Sequence, residues 1–154
     1  MTTTTGGEAG AATGGEQDAP GVISFLVPGD PVPKGRPRFG NGRTYTPAKT
    51  LAYEDLVAMI ARGVMRGRPL MQGPVVMLIR ATFAFPKSWP QQRRIEGASH
   101  VTRPDADNIA KIVGDALNGV VFKDDCQIAD LKVAKRWGPV GALVVTIKND
   151  LEME

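Results

Sequence analysis

Residues 74 to 86, PVVMLIRATFAFP, set β-branched and aromatic residues between two prolines. A run of that kind is a long strand, and a strand needs a sheet to lie in. The rest of the chain supplies both strands and helices. VISFLV (22 to 27) is a short buried strand candidate, stopped by PGDPVP, whose prolines and glycine force extended or turning backbone. From Thr46, an N-cap with Pro47 at the first helical position, TPAKTLAYEDLVAMIARGVMRGR places Leu51, Leu56, Met59, Ile60 and Val64 near helical spacing, predicting a helix that ends near Gly67 to Pro69. Residues 87 to 103 form a polar loop with one helical turn.

In DADNIAKIVGDALNG, Ile109, Ile112, Val113, Ala116 and Leu117 make one apolar stripe, Gly119 is placed to end the helix, and Asn108, Lys111 and Asp115 face away. VVF then reads as a short returning strand, and CQIADLKVAKRW and GALVVTIKN as strand-length runs joined by a GPVG turn. The order strand, helix, strand, helix, strands predicts an α+β fold: a small mixed or antiparallel sheet with two main helices packed on it.

A chain of 154 residues and 42% hydrophobic content fits one domain with a modest core. Its Thr, Gly, Ala and acid opening, residues 1 to 20, has almost nothing to bury and reads as a disordered leader. The domain is expected over 21 to 149, with an acidic tail at 150 to 154. The formal charge of +3 conceals an asymmetry, because residues 21 to 149 hold all 19 Lys and Arg against 10 acids. That excess suits a polyanionic partner, and by itself it is equally compatible with a domain that binds none. One cysteine, Cys126, excludes an intramolecular disulfide and a thiolate metal cage. No apolar run reaches the roughly 18 residues of a membrane span, and the N-terminus lacks the pattern of a signal peptide, so a soluble cytoplasmic protein is expected.

Against that basic background the segment RPDADNIAKIVGDALNGVVFKDD concentrates acids. Asp105 and Asp107 stand where a helix dipole favours carboxylates, and only one of them can cap the helix. Asp124 and Asp125 fit a solvated turn between strands equally well. Together the two pairs fit something else: a helix of about a dozen residues followed by a returning strand would bring them to one end, where four carboxylates repel unless a cation sits among them. Oxygen donors without nearby His or Cys point to a hard ion, Mg²⁺ or Mn²⁺. His100, the single histidine, is expected in a surface loop or near a phosphate rather than on the metal. Lys111 lies one turn beyond Asp107; it either pairs with Asp107 or Asp115, or contacts a scissile phosphate or leaving oxygen.

The second dense feature is PVPKGRPRFGNGRTYTPAK, in which Lys34, Arg36, Arg38, Arg43 and Lys49 are interleaved with Phe39 and Tyr45. Such a loop can track a phosphate backbone while an aromatic meets an unstacked base, or it can be a solvated hairpin. Its GNG is not a nucleotide-binding P-loop, since no Gly-Lys-Ser/Thr follows.

RPDADNIAKIVGDALNGVVFKDDCQIADLKV resembles the signature of RusA-type Holliday junction resolvases, and VPGDPVPKGRPRF and RTYTPAKT resemble the N-terminal part of the phage and prophage branch of that family. The similarity covers about residues 22 to 148. It implies a homodimeric, Mg²⁺-dependent endonuclease making paired cuts in four-way DNA junctions. Carried over by position, Asp105, Asp107 and Asp125 are metal-binding carboxylates, Lys111 is the catalytic lysine, Asp124 is a supporting acid, and Arg103 joins the basic loop as a DNA contact. Two other readings stay open on the residues alone: a DNA-binding module without activity, and a Mg²⁺ phosphohydrolase acting on nucleotides, flaps or forks.

Overall fold

The computed structural model describes residues 21–150, so the expected leader and all but the first residue of the acidic tail lie outside it. The elements are β1 (Val22–Pro28), β2 (Arg38–Gly40), β3 (Arg43–Tyr45), α1 (Ala48–Met65), β4 (Val75–Ala84), α2 (Ala106–Leu117), β5 (Ile128–Gly138) and β6 (Ala142–Asn149), with short 3-10 turns at Gln91–Arg93 and Asp125–Gln127. The main sheet runs β1-β6-β4-β5; β4 pairs parallel with β5, and the other neighbours are antiparallel. The architecture is therefore the expected α+β fold with a mixed sheet.

Alternation along the strands explains the core. Val75, Met77, Ile79, Ala81 and Phe83 of β4 are buried, as are Ile23, Phe25 and Val27 of β1 and Leu143, Val145 and Ile147 of β6. These side chains form one cluster with Ile109, Ile112, Val113, Ala116 and Leu117, the whole apolar stripe expected of α2.

Three local expectations change. Pro47, not Thr46, occupies the cap position of α1, and no side chain caps that helix. The face α1 buries is Thr50, Tyr53, Val57, Ala58, Ala61 and Met65, whereas Leu51 and Met59 are exposed and Leu56, Ile60 and Val64 are only partly covered. Tyr53, Val57 and Met65 fill the face that packs on α2 and β1 together with the small Thr50, Ala58 and Ala61, and Leu56, Ile60 and Val64 flank it. Val120, Val121 and Phe122 form no strand: they are buried in a turn, with Phe122 making only isolated bridges to Met71 and Asn118. That turn returns the chain toward the sheet in place of a strand.

His100 is 5% exposed, not a surface residue. Its ring stacks on Phe83 at 4.0 Å and meets Trp137 at 4.4 Å, and Trp137 meets Trp89 at 4.7 Å. Arg94 closes the loop over this cluster by donating to the Trp89 and Lys87 carbonyls, each at 3.0 Å. Among the described residues no helix is long and apolar enough to cross a membrane.

Candidate active site

The N-terminus of α2 separates two clefts. The larger, of about 640 Å³, is lined by Pro33, Arg36, Arg103, Pro104, Asp105 and Asn108. The other, of about 370 Å³, has Asp107, Lys111, Gly114, Asp125 and Asp130 around an apolar floor that includes Met77, Ala110, Ile128 and Leu131. Residues from α2, β5 and the 3-10 turn that precedes it thus meet in the second cleft.

Asp105 holds the cap position of α2, where its carbonyl accepts from Asn108 N at 3.2 Å and Ile109 N at 3.3 Å, but its side chain makes no capping bond. Both aspartates of the DAD motif are therefore without the capping role that would explain them. The segment leading into the helix is fixed by Lys135 of β5, whose Nζ donates to the carbonyls of Thr102 at 2.7 Å and Pro104 at 2.6 Å. An ammonium on the edge strand thereby sets where Arg103 and Asp105 stand, and no sequence motif announces it.

Asp124 and Asp125 have different surroundings although they are neighbours. Asp124 caps the 3-10 turn, accepting from Cys126 N at 3.1 Å, while Gln127 accepts from the amides of Lys123 and Asp124 and donates to the carbonyls of Met71 and Gly73. The Cys126 amide, with the Asp125 side chain next, holds the Asp124 carboxyl below its ordinary range. Asp125 is pushed the other way, first by the Asp124 carboxyl and then by burial, with Asp115 adding to the effect and Lys111 opposing it. Asp125 packs against Gly114 of α2: a Cβ there would lie 3.4 Å from Asp125 Oδ2, in ordinary contact.

Lys111 pairs with Asp115, not with Asp107, at 3.7 Å and remains 59% exposed, so its ammonium is accessible from the cleft. Asp115 also receives Lys34 at 3.2 Å, and Lys34 reaches Glu54 of α1 at 2.8 Å. The Glu54 hydrogen bond, working against burial, raises the Lys34 pKa above its usual value. Lys34 N also donates to Asn108 O at 3.0 Å, so the basic segment is tied to α2 by backbone and side chain together. Lys34 differs in this from the other expected DNA contacts: Arg36 and Arg103 line the larger cleft, and Arg38 and Arg43 lie on a hairpin. That hairpin, β2–β3, turns through Asn41 and Gly42, both at positive φ, which is the conformation a tight two-residue hairpin requires. The GNG sequence is thus a turn.

The donor set suits a hard cation, because every candidate ligand in the second cleft is a carboxylate. The anticipated ligands are not assembled at a single point, however. Asp105 opens onto the other cleft, Asp124 is engaged as a cap, and among the described residues no group of three acids stands close enough to hold an ion. Asp107 and Asp125 share one cleft, and Mg²⁺ is commonly held by one or two carboxylates together with water and substrate phosphate. The residues present fit a site of that open kind. Asp130, which lines the same cleft from β5, is not among the residues the sequence singles out; it is an exposed acid in an edge strand and belongs to no recognisable motif.

The family model described as Endodeoxyribonuclease RusA matches residues 28–148, which includes both clefts and the basic hairpin. The uncharacterized protein YqaN of Bacillus subtilis (strain 168) is 35% identical over 137 residues, a match covering 82% of this chain and 96% of that protein.

Proposed function

We propose, from the premise that the chain belongs to the RusA endodeoxyribonuclease family, that it is a Mg²⁺-dependent nuclease which resolves four-way DNA junctions by paired strand cuts. The observation that carries this reading is the joint placement of Asp107, Lys111 and Asp125 in one cleft, beside a second cleft lined by Arg36 and Arg103. A DNA strand lying across the N-terminus of α2 would meet guanidinium groups on one side and the carboxylates and ammonium on the other.

Asp107 and Asp125 would hold the ion, with Asp124 fixing the turn that carries Asp125, while Asp105, proposed from the sequence as a third ligand, stands in the adjoining cleft. Bound there, Mg²⁺, or Mn²⁺ in its place, supplies a water of lowered pKa and neutralises charge on the phosphoryl oxygens. Lys111, on the rim, is positioned to donate to a phosphate oxygen or to the leaving oxygen. Arg36 and Arg103 hold neighbouring phosphates, and Arg38 and Arg43 extend that grip along the hairpin. Lys34 acts within the protein, bracing the basic segment against α1 and α2.

A single site would nick one strand. Resolution takes two opposed cuts, and a C2 homodimer matches the approximate two-fold symmetry of a four-way junction. Leu51 and Met59 of α1, and Leu26 on the sheet, are exposed apolar side chains open to a second copy. The place of action is the cytoplasm, where DNA is the substrate.

The deciding experiment is cleavage of a labelled four-way junction beside a matched duplex, fork and flap, with Mg²⁺ and with EDTA. Symmetric, Mg²⁺-dependent cuts confined to the junction support resolution. Preferential cutting of forks or flaps identifies a broader branched-DNA nuclease, and tight binding without cutting leaves a junction-binding protein.

A further inference from the structure

The hairpin β2–β3 has two unlike faces. Its register pairs Arg38 with Tyr45, Phe39 with Thr44 and Gly40 with Arg43, so strand alternation puts Arg38, Gly40, Arg43 and Tyr45 on one face and Phe39 with Thr44 on the other. Tyr45 lies against its own hairpin: its Cε1 is 3.1 Å from where a Cβ on Gly40 would stand. Phe39 has only the small Thr44 opposite and is 77% exposed. The ring is thus presented to solvent on a strand flanked by arginines.

The root of this hairpin does not swing independently of the catalytic helix. Lys34 bridges Glu54 and Asp115, Lys34 N donates to Asn108 O, and Gly35 N donates to Thr50 Oγ1 at 3.3 Å. Asn108 and Asp115 belong to α2, which also carries Asp107 and Lys111. The chain leading into the hairpin that carries Phe39 is therefore anchored to the helix that carries the cleft residues.

We infer that Phe39 is a stacking residue for a nucleobase at the branch point, and that it discriminates branched DNA from continuous duplex. This rests on the branched-DNA reading above and names the feature of the substrate that is recognised. In a continuous duplex each base is covered on both faces, so an aromatic ring finds no open partner. At a strand exchange point a base can lose one neighbour, and its exposed π-face accepts an aromatic side chain in any sequence context. The opposite face of the same hairpin carries Arg38 and Arg43, whose charge complements the phosphates of a flanking arm. A strand-wide finger with a basic side and an aromatic side fits between two diverging arms.

The test uses the full chain as wild type, Phe39→Ala and Phe39→Trp, with a four-way junction carrying 2-aminopurine at the branch point and a linear duplex of the same sequence. Wild type is expected to change the 2-aminopurine fluorescence on binding, and Phe39→Trp to preserve that change. Phe39→Ala should abolish it and bind the junction roughly 5- to 150-fold more weakly, the effect of removing one base–aromatic stack, with duplex affinity altered less than about twofold. Retention of both the signal and the affinity by Phe39→Ala overturns the inference, as does an equal weakening on junction and duplex. Wild type that does not prefer branched DNA at all overturns the functional reading itself, whereas preference that survives in Phe39→Ala removes only the role of Phe39.

Discussion

Asp105 and Asp107, two residues apart at the start of α2, open onto different clefts, Asp105 beside Arg36 and Arg103, Asp107 beside Lys111 and Asp125. The backbone accounts for the divergence: Asp105 is the extended cap residue just outside the helix, with φ −74° and ψ 151°, whereas Asp107 lies in its first turn. The motif thus serves two surfaces of one helix end, and the consequences of removing each acid should differ.

Asp107→Asn is expected to lower cleavage by more than about 100-fold, beyond the usual cost of removing a group that supports a metal ligand indirectly, while folding and junction binding persist. Asp105→Asn should lower cleavage less than Asp107→Asn does and tighten junction binding, because it removes a negative charge from the cleft that Arg36 and Arg103 line. Gel-shift affinity and single-turnover cleavage measured on both variants check the pair; identical binding by the two would argue against a division between clefts.

The apolar stripe of α2 was readable because its large apolar residues occupy one face, and the structure buries all five of Ile109, Ile112, Val113, Ala116 and Leu117. In α1 the apolar residues run around the helix, and the face that packs mixes Tyr53, Val57 and Met65 with Thr50, Ala58 and Ala61, three small residues that no hydrophobicity scale favours over Leu51 or Met59. Proximity of neighbouring elements selected that face. The acids of the two motifs were visible in the chain, but their partition between clefts depends on the change from extended to helical backbone between Asp105 and Asp107 and on the turn that replaces the expected strand at Val120 to Phe122. Asp130 and Lys135 act from β5 through tertiary placement alone, so local sequence carried no sign of them.

The bases of the N-terminal segment should separate by salt dependence. Arg36→Gln and Arg38→Gln are each expected to reduce the slope of log affinity against log salt by about 0.9 for every duplex phosphate that the variant no longer neutralises. Lys34→Gln should leave the slope close to wild type, because its ammonium is occupied by Glu54 and Asp115. Its cost should appear in stability: these side chains are about one-quarter exposed, between a surface pair and a buried one, which suggests about 1–2 kcal/mol by urea denaturation. A Lys34→Gln protein of wild-type stability and reduced salt slope would return Lys34 to the DNA surface.

His100 should give stability a specific dependence on pH. Burial, followed by the charge of Lys135, holds the imidazole below its usual value of 6.5. The unfolded chain consequently takes up this proton at a higher pH than the folded one does. The contribution is fully present above the unfolded value, declines as pH falls below it, and is lost once pH passes through the folded value. Unfolding midpoints for wild type should fall between about pH 7 and pH 5 by more than those of His100→Phe, in which the stacking on Phe83 and Trp137 is kept and the titration is not. Parallel profiles for the two proteins would show that the proton is accommodated without cost.

Gly114 offers a case in which stability and activity should move in opposite directions. It lies inside α2, where alanine is favoured over glycine by about 1 kcal/mol, and its backbone has no need of positive φ. A methyl group there would make ordinary contact with Asp125, 3.4 Å from Oδ2 and 3.5 Å from Cβ, so the substitution fits without displacing the helix. It would also exclude water from one side of a carboxylate that is already reluctant to ionise beside Asp124, which disfavours the charged form a cation requires. Gly114→Ala is therefore expected to raise the unfolding free energy by about 0.5–1 kcal/mol while shifting the Mg²⁺ dependence of cleavage to higher concentration. Thermal unfolding and a Mg²⁺ titration on the same preparation measure the two effects together; a stabilised protein with an unchanged Mg²⁺ requirement would place the ion away from Asp125.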